Sequence, residues 1–144
     1  MLTLIVILLF PFAIWQARRN IKWAEASPNW PTVEGVVTES GRRRVLFWKQ
    51  ARVAYSYSVA NVAHVGRRIA FAPPVSKDEI DDALLRYPVG QSVTVRYLPE
   101  NPAQAVLEPG SSPRVVAQLR SIVITFVILI LVNILLAYLR SLDA

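Results

Sequence analysis

The sequence predicts an α+β membrane protein: two transmembrane helices flank a small five-stranded, β-barrel-like domain of the OB or SH3-like kind, with one short helix. Three observations predict it. Apolar runs occupy both ends, period-two alternation marks the middle, and one capped amphipathic helix interrupts the strands. The 144 residues leave room for one domain of ordinary size. Hydrophobic residues make up 53% and charged residues 18%, with a mean hydropathy of +0.36. The apolar excess lies at the ends. The expected layout is a first transmembrane helix over 1–19, a juxtamembrane linker over 20–31, the β-rich domain over 32–109, and a second transmembrane helix over 114–140.

Residues 2–17 are almost continuously apolar. As a helix they span about 24 Å, slightly short of a hydrocarbon core of roughly 30 Å. Pro11 is tolerable in such a helix, and Trp15 falls where an interfacial aromatic belongs. Ala24-Glu25-Ala26 imitates a signal-peptide cleavage site. No basic residue precedes the apolar run, however, and Arg18, Arg19 and Lys22 stand between it and that site, so an anchor is expected. Residues 121–139 carry no charge and match a bilayer span, bounded by Arg120 and Arg140. Within that span Asn133 is strongly polar, a candidate for a helix–helix contact or an amide near a wet helix end. Arg18, Arg19, Lys22, Arg114 and Arg120 flank the central domain. By the positive-inside rule they favour the cytoplasm for it, with both termini across the membrane; a periplasmic domain is the alternative, because the stretch between the helices is longer than the loops for which the rule works best.

The first helix should run on to about Ala26 and stop at Pro28 and Pro31. Strands are expected over 32–40, 52–59, 62–71, 92–98 and 105–107. The second alternates most clearly, with Val53, Tyr55, Tyr57 and Val59 on one face. Residues 45–48 fit as its bent front half. Ala60-Asn61 offers a turn, because asparagine tolerates positive φ. Ser76 and Glu79 form a capping box for a helix whose apolar face is Ile80, Ala83, Leu84 and Tyr87. Pro88 and Gly90 end it. The order β-β-β-α-β-β matches a five-stranded OB-like barrel, and an SH3-like barrel or an open sheet fits nearly as well.

The stretches W-P-T-V-E-G-V-V (30–37), V-A-Y-S-Y-S-V (53–59), R-Y-P-V-G-Q-S-V-T-V-R-Y (86–97) and L-P-E-N-P-A-Q-A-V-L-E-P (98–109) resemble the DUF3592 family of bacterial membrane proteins. Leu98 replaces the family's usual aspartate, and Asn61 its usual glycine. The resemblance implies paired helices around a β domain in a bacterial inner membrane. It implies no activity and transfers no site residue.

Composition removes several chemistries. There is no cysteine, hence no disulfide, thiolate metal site or cysteine nucleophile. A single histidine, His64, makes no convincing zinc site. Asp78, Glu79, Asp81 and Asp82 sit at a helix start, where capping and the dipole account for them. No cofactor and no catalytic residue is expected. Gly41-Arg42-Arg43-Arg44 is the most pointed feature. Arg42, Arg43 and Arg44, read as a hairpin tip, suit anionic lipid or an acidic partner. Trp48, Tyr55 and Tyr57 could stack bases, but alternation makes the tyrosines core residues, so nucleic acid is disfavoured. The net charge of +6, with basic residues clustered beside the apolar ends and in one loop, points to anionic lipid headgroups more than to nucleic acid. The expected partners are membrane lipids and a membrane or membrane-associated protein, with a homo-oligomer as a further option. The expected role is an interaction or structural module of a membrane complex. An immunity or accessory protein for a membrane-acting toxin or secretion partner, and a lipid- or nucleic-acid-binding OB-like module, are the alternatives.

Overall fold

A computed structural model describes residues 2–142, with side chains described at 10–118 and 120–142. The chain divides into two compact units, Trp23–Ser111 and the pair Met1–Lys22 with Ser112–Ala144.

The second unit is helical. Helix α1 (Leu2–Ala26) contains Pro11, and α3 (Pro113–Leu142) has Arg140 in its last turn. Among the described residues α3 is the one helix long and apolar enough to cross a membrane, with a mean hydropathy of 3.0. The apolar start of the expected first span, residues 2–9, lies outside the described side chains. Within this unit the rings of Phe10 and Phe126 meet at 4.8 Å. The Arg19 guanidinium lies 4.3 Å over the Trp15 ring and donates to Gln16, a cation–π pair of the kind that suits a membrane interface.

Trp23–Ser111 is an α+β unit. Its strands are β1 (Thr32–Val45), β2 (Trp48–Val59), β3 (Val62–Gly66), β4 (Ser92–Leu98) and β5 (Asn101–Val106), with α2 (Lys77–Arg86) between β3 and β4. They form one antiparallel sheet in the order β3-β2-β1-β4-β5. Alternation decides which side chains enter the core. Val37, Val53, Tyr55, Val95 and Val106 are fully buried, and Tyr57, Ile69, Ala83 and Leu107 pack with them. Ala60 (φ 50°) and Asn61 (φ 65°) make the expected β2–β3 turn, both central residues left-handed as a type I′ hairpin requires. At α2 the Ser76 side chain accepts from the Glu79 N–H while Glu79 accepts from the Ser76 N–H, completing the capping box. Before β1 a 3₁₀ turn at Ser27–Asn29 ends α1. Trp30, buried, meets Phe71 edge-on at 6.0 Å, and fully buried Ser27 donates to Ala24 and accepts from the Gly110 N–H.

Three expectations need correction. The barrel is an open sheet: β3 and β5 are its two edges. What joins their far ends is one parallel bridge, Ala70 with Glu108, supported by the Leu107 N–H on Arg68 and the Glu108 N–H on Ile69. The physical reason is that β3 stops at Gly66 instead of continuing to Phe71: beyond it the backbone bonds to residues 107 and 108 and no longer pairs with β2, and Pro73 and Pro74 then lead the chain off toward α2. Strand β5 starts earlier than expected, at Asn101, leaving Pro99-Glu100 as a tight turn. The largest departure is at the arginines. Strand β1 runs to Val45 and β2 opens at Trp48, so of residues 45–48 only Trp48 belongs to β2, and the arginine triplet lies along β1 instead of at a hairpin tip.

Candidate functional site

The β1–β2 hairpin outgrows the sheet. Strand β4 accompanies β1 only as far as Val36, opposite Ser92, and β3 accompanies β2 only from Tyr55 onward. A bulge between Val37 and Glu39 marks the departure; bulges bend a strand and sharpen its twist. Beyond it β1 and β2 pair only with each other, through Arg42–Ala51, Arg43–Gln50, Arg44–Lys49 and Val45–Trp48. A two-stranded ribbon is marginal alone. This one is tied to α2 by an ion pair from Arg42 to Asp81, and its two strands are joined by another, 2.8 Å long, from Arg52 to Glu39.

The tip is Leu46-Phe47, a two-residue loop with Leu46 at φ 54°. A positive φ at the first central position is what a type II′ turn needs, and glycine is its usual occupant. Leu46 is 82% exposed, Phe47 88% and Trp48 71%. Three large apolar side chains in a row thus stand in solvent at the end of a cationic ribbon. Among the described residues no carboxylate pairs with Arg43, Arg44, Lys49 or Arg67. Arg43, Gln50, Arg52 and Arg67 line a cavity of about 140 Å³ beside the ribbon.

A larger, open cavity of about 530 Å³ lies at the seam of the sheet, where Val65, Gly66 and Ile69 face Ala103, Gln104 and Ala105. The outer edge of β3 pairs with no strand of the sheet, and Val62 and Val65 on it are more than half exposed.

A family model described as a domain of unknown function, DUF3592, matches residues 32–112, more than half of the chain. The chain belongs to the DUF3592 family. No curated protein and no solved structure matches it.

The remaining candidates in the DUF3592 domain sort by their contacts. His64 on β3 stacks against Tyr57 at 5.5 Å. The acidic residues do separate structural jobs: Glu79 caps α2, Asp81 pairs with Arg42, and Asp78 lies in the first turn. Among the described residues no group of His, Asp and Glu is arranged to hold a metal ion. Tyr55 and Tyr57 are buried and unable to stack bases; their hydroxyls donate to the carbonyls of Arg68 (2.9 Å) and Pro102 (2.6 Å). Burial pushes both phenols above their ordinary range, and at Tyr55 the neighbouring Tyr57 adds to it. Tyr87 donates to Glu108, which also takes the Arg86 guanidinium. Burial first, then that hydrogen bond and the carboxylate charge, push Tyr87 up to about 12. In α3 the Asn133 amide donates back to Leu129 at 2.8 Å. Arg42, Arg43 and Arg44 lie exposed along β1, and the tip that the sequence analysis missed is Leu46 and Phe47. The available signal was an uninterrupted V-L-F-W run directly after three arginines.

Proposed function

We propose that the chain is a two-pass, membrane-anchored interaction module without catalysis. Its OB-like domain would serve a membrane or membrane-associated protein partner at a bacterial inner membrane. The observation that carries this reading is the open seam. An unpaired strand edge offers a row of N–H and C=O groups to an added strand, and the β3 edge combines that row with exposed Val62, exposed Val65 and an adjoining cavity. The strand order, with a helix between β3 and β4 and one parallel bridge between the far edges, supports the OB-like reading. The apolar length of α3 supports the anchor, and Trp15 with Arg19 on α1 supports a second one. Arg18, Arg19, Lys22, Arg114 and Arg120 favour a cytoplasmic domain.

The test is a photo-crosslinking residue at Val65 in the full chain, expressed in its own membranes. The expected result is a discrete adduct with a second protein, retained after carbonate washing and missing when the probe replaces exposed Glu34 on β1. A chain released by carbonate, or identical patterns from both positions, would overturn the reading.

A further inference from the structure

We infer that the β1–β2 hairpin is a second membrane contact, whose apolar tip enters the interfacial layer of an anionic phospholipid bilayer while the basic residues behind it take the headgroup phosphates. The inference rests on the membrane setting proposed above but not on the protein partner, which engages a different edge of the sheet.

Four observations carry it. First, Leu46, Phe47 and Trp48 are all exposed at one end of a projecting ribbon. A contiguous apolar patch ringed by polar groups marks an interaction surface, and tryptophan beside phenylalanine suits the headgroup boundary, where one side of the ring is apolar and the other wet. Second, the outer part of the ribbon is cationic. Residues 41–52 hold Arg42, Arg43, Arg44, Lys49 and Arg52 and no carboxylate. Arg42 and Arg52 are already paired, which leaves Arg43, Arg44 and Lys49 for an external anion.

Third, the register orders these groups by depth. Val45 and Trp48 form the last cross-strand pair, Arg44 and Lys49 the next, and Arg43 and Gln50 the one behind. At about 3.3 Å per residue, Arg43 stands some 10 Å behind Leu46, a spacing that suits apolar groups among acyl chains and guanidinium among phosphates. The cavity lined by Arg43, Gln50, Arg52 and Arg67 opens at that level, and guanidinium groups match phosphate oxygens two at a time. Fourth, the domain is joined to α3 by a few residues. A short tether to a bilayer raises the local lipid concentration and makes weak insertion effective. An acidic protein could neutralise the arginines, but it would need a complementary pocket for three large apolar side chains; a bilayer takes them without one.

The chain has no cysteine, so a single one can report position. Leu46→Cys carrying an environment-sensitive fluorophore would be made in the full chain and reconstituted in vesicles of phosphatidylcholine with phosphatidylglycerol, or of phosphatidylcholine alone. The expected result is blue-shifted emission in the anionic vesicles and quenching by shallow nitroxide lipids several-fold stronger than for a probe at Glu100→Cys, exposed on the β4–β5 turn. Raising the salt concentration, or replacing Arg43, Arg44 and Lys49 together by glutamine, should reduce the quenching toward the value in neutral vesicles. These substitutions lie on exposed side chains, so folding is not at issue. Emission from Leu46→Cys like that from Glu100→Cys in both vesicle types would overturn the inference. A Val65 crosslink that persists in that case would show that the partner reading stands without it.

Discussion

Gly66 lies opposite Tyr55 across the β2–β3 pair, and the Tyr55 ring occupies the space that a side chain at 66 would need. A Cβ there would stand 2.2 Å from Cε2 of the ring. The ring has nowhere to go, because Tyr55 is fully buried and its hydroxyl is fixed on the Arg68 carbonyl. Gly66→Ala is therefore expected to destabilise the domain by about 1–3 kcal/mol, the usual range for overpacking. Thermal unfolding of the full chain in detergent, followed by near-ultraviolet circular dichroism, measures it. A midpoint unchanged from the parent would mean that the ring yields more easily than its contacts imply.

The tyrosines also set the alkaline limit. Tyr87 is raised from 10.0 to about 12, and Tyr55 moves in the same direction. A group raised on folding holds its proton more tightly in the native state. Below pH 10 both states are protonated and the contribution is complete; between pH 10 and about 12 the unfolded chain ionises first, and stability falls. Unfolding midpoints measured across that window should decline, and Tyr87→Phe should make the decline shallower. An unchanged slope in Tyr87→Phe would assign the effect to other groups.

The elements that were legible in the sequence are those whose signals are local. The Ser76–Glu79 capping box, the Ala60-Asn61 turn and the strand at residues 92–98 each rest on a few adjacent residues, and all three form as expected. The hairpin was not legible for a specific reason. Gly41 reads as a turn residue and Leu46 as a strand residue, whereas Gly41 lies within β1 and Leu46 turns the chain at φ 54°. No propensity rule places leucine at that position. Sheet closure was hidden too, because strand order alone leaves open whether the two edges pair. Here that depends on where β3 ends, and it ends at Gly66, whose side-chain space the Tyr55 ring takes in a long-range contact.

The pair between Arg42 and Asp81 joins the ribbon to α2. Both side chains are partly exposed, so Asp81→Asn should lower global stability by less than about 1 kcal/mol. Local effects should be larger, because the ribbon beyond Arg42 has no other strand beside it. Hydrogen exchange of the amides in residues 43–50 is expected to accelerate in Asp81→Asn while the amides of Val53 and Tyr55 stay protected. Uniform acceleration through both sets would show that the pair supports the whole domain.

Asn133 spends one amide hydrogen on Leu129 within its own helix. In hydrocarbon its remaining amide hydrogen and its oxygen favour a neighbouring helix, a contact worth about 0.6–2 kcal/mol. Asn133→Leu should accordingly weaken self-association of the full chain in bilayers, read by energy transfer between labelled copies as lipid is added. Equal dilution curves for parent and variant would leave the local hydrogen bond as the residue's whole role.

Leu46 separates stability from function at the hairpin tip. A left-handed conformation costs an ordinary L-residue about 1–2 kcal/mol. Glycine removes that strain but gives up about 0.5–1 kcal/mol in the entropy of the unfolded chain. Leu46→Gly should therefore stabilise the domain by up to about 1.5 kcal/mol. The same change deletes one of three exposed apolar groups, so shallow-nitroxide quenching of the native Trp48 in anionic vesicles should weaken, with Trp15, Trp23 and Trp30 replaced by phenylalanine in parent and variant alike. A more stable hairpin that contacts lipid less would mean that strain is retained at residue 46 for the sake of its side chain. If Leu46→Gly is more stable and quenched as strongly as the parent, the leucine has no part in the membrane contact, and Phe47 and Trp48 carry it alone.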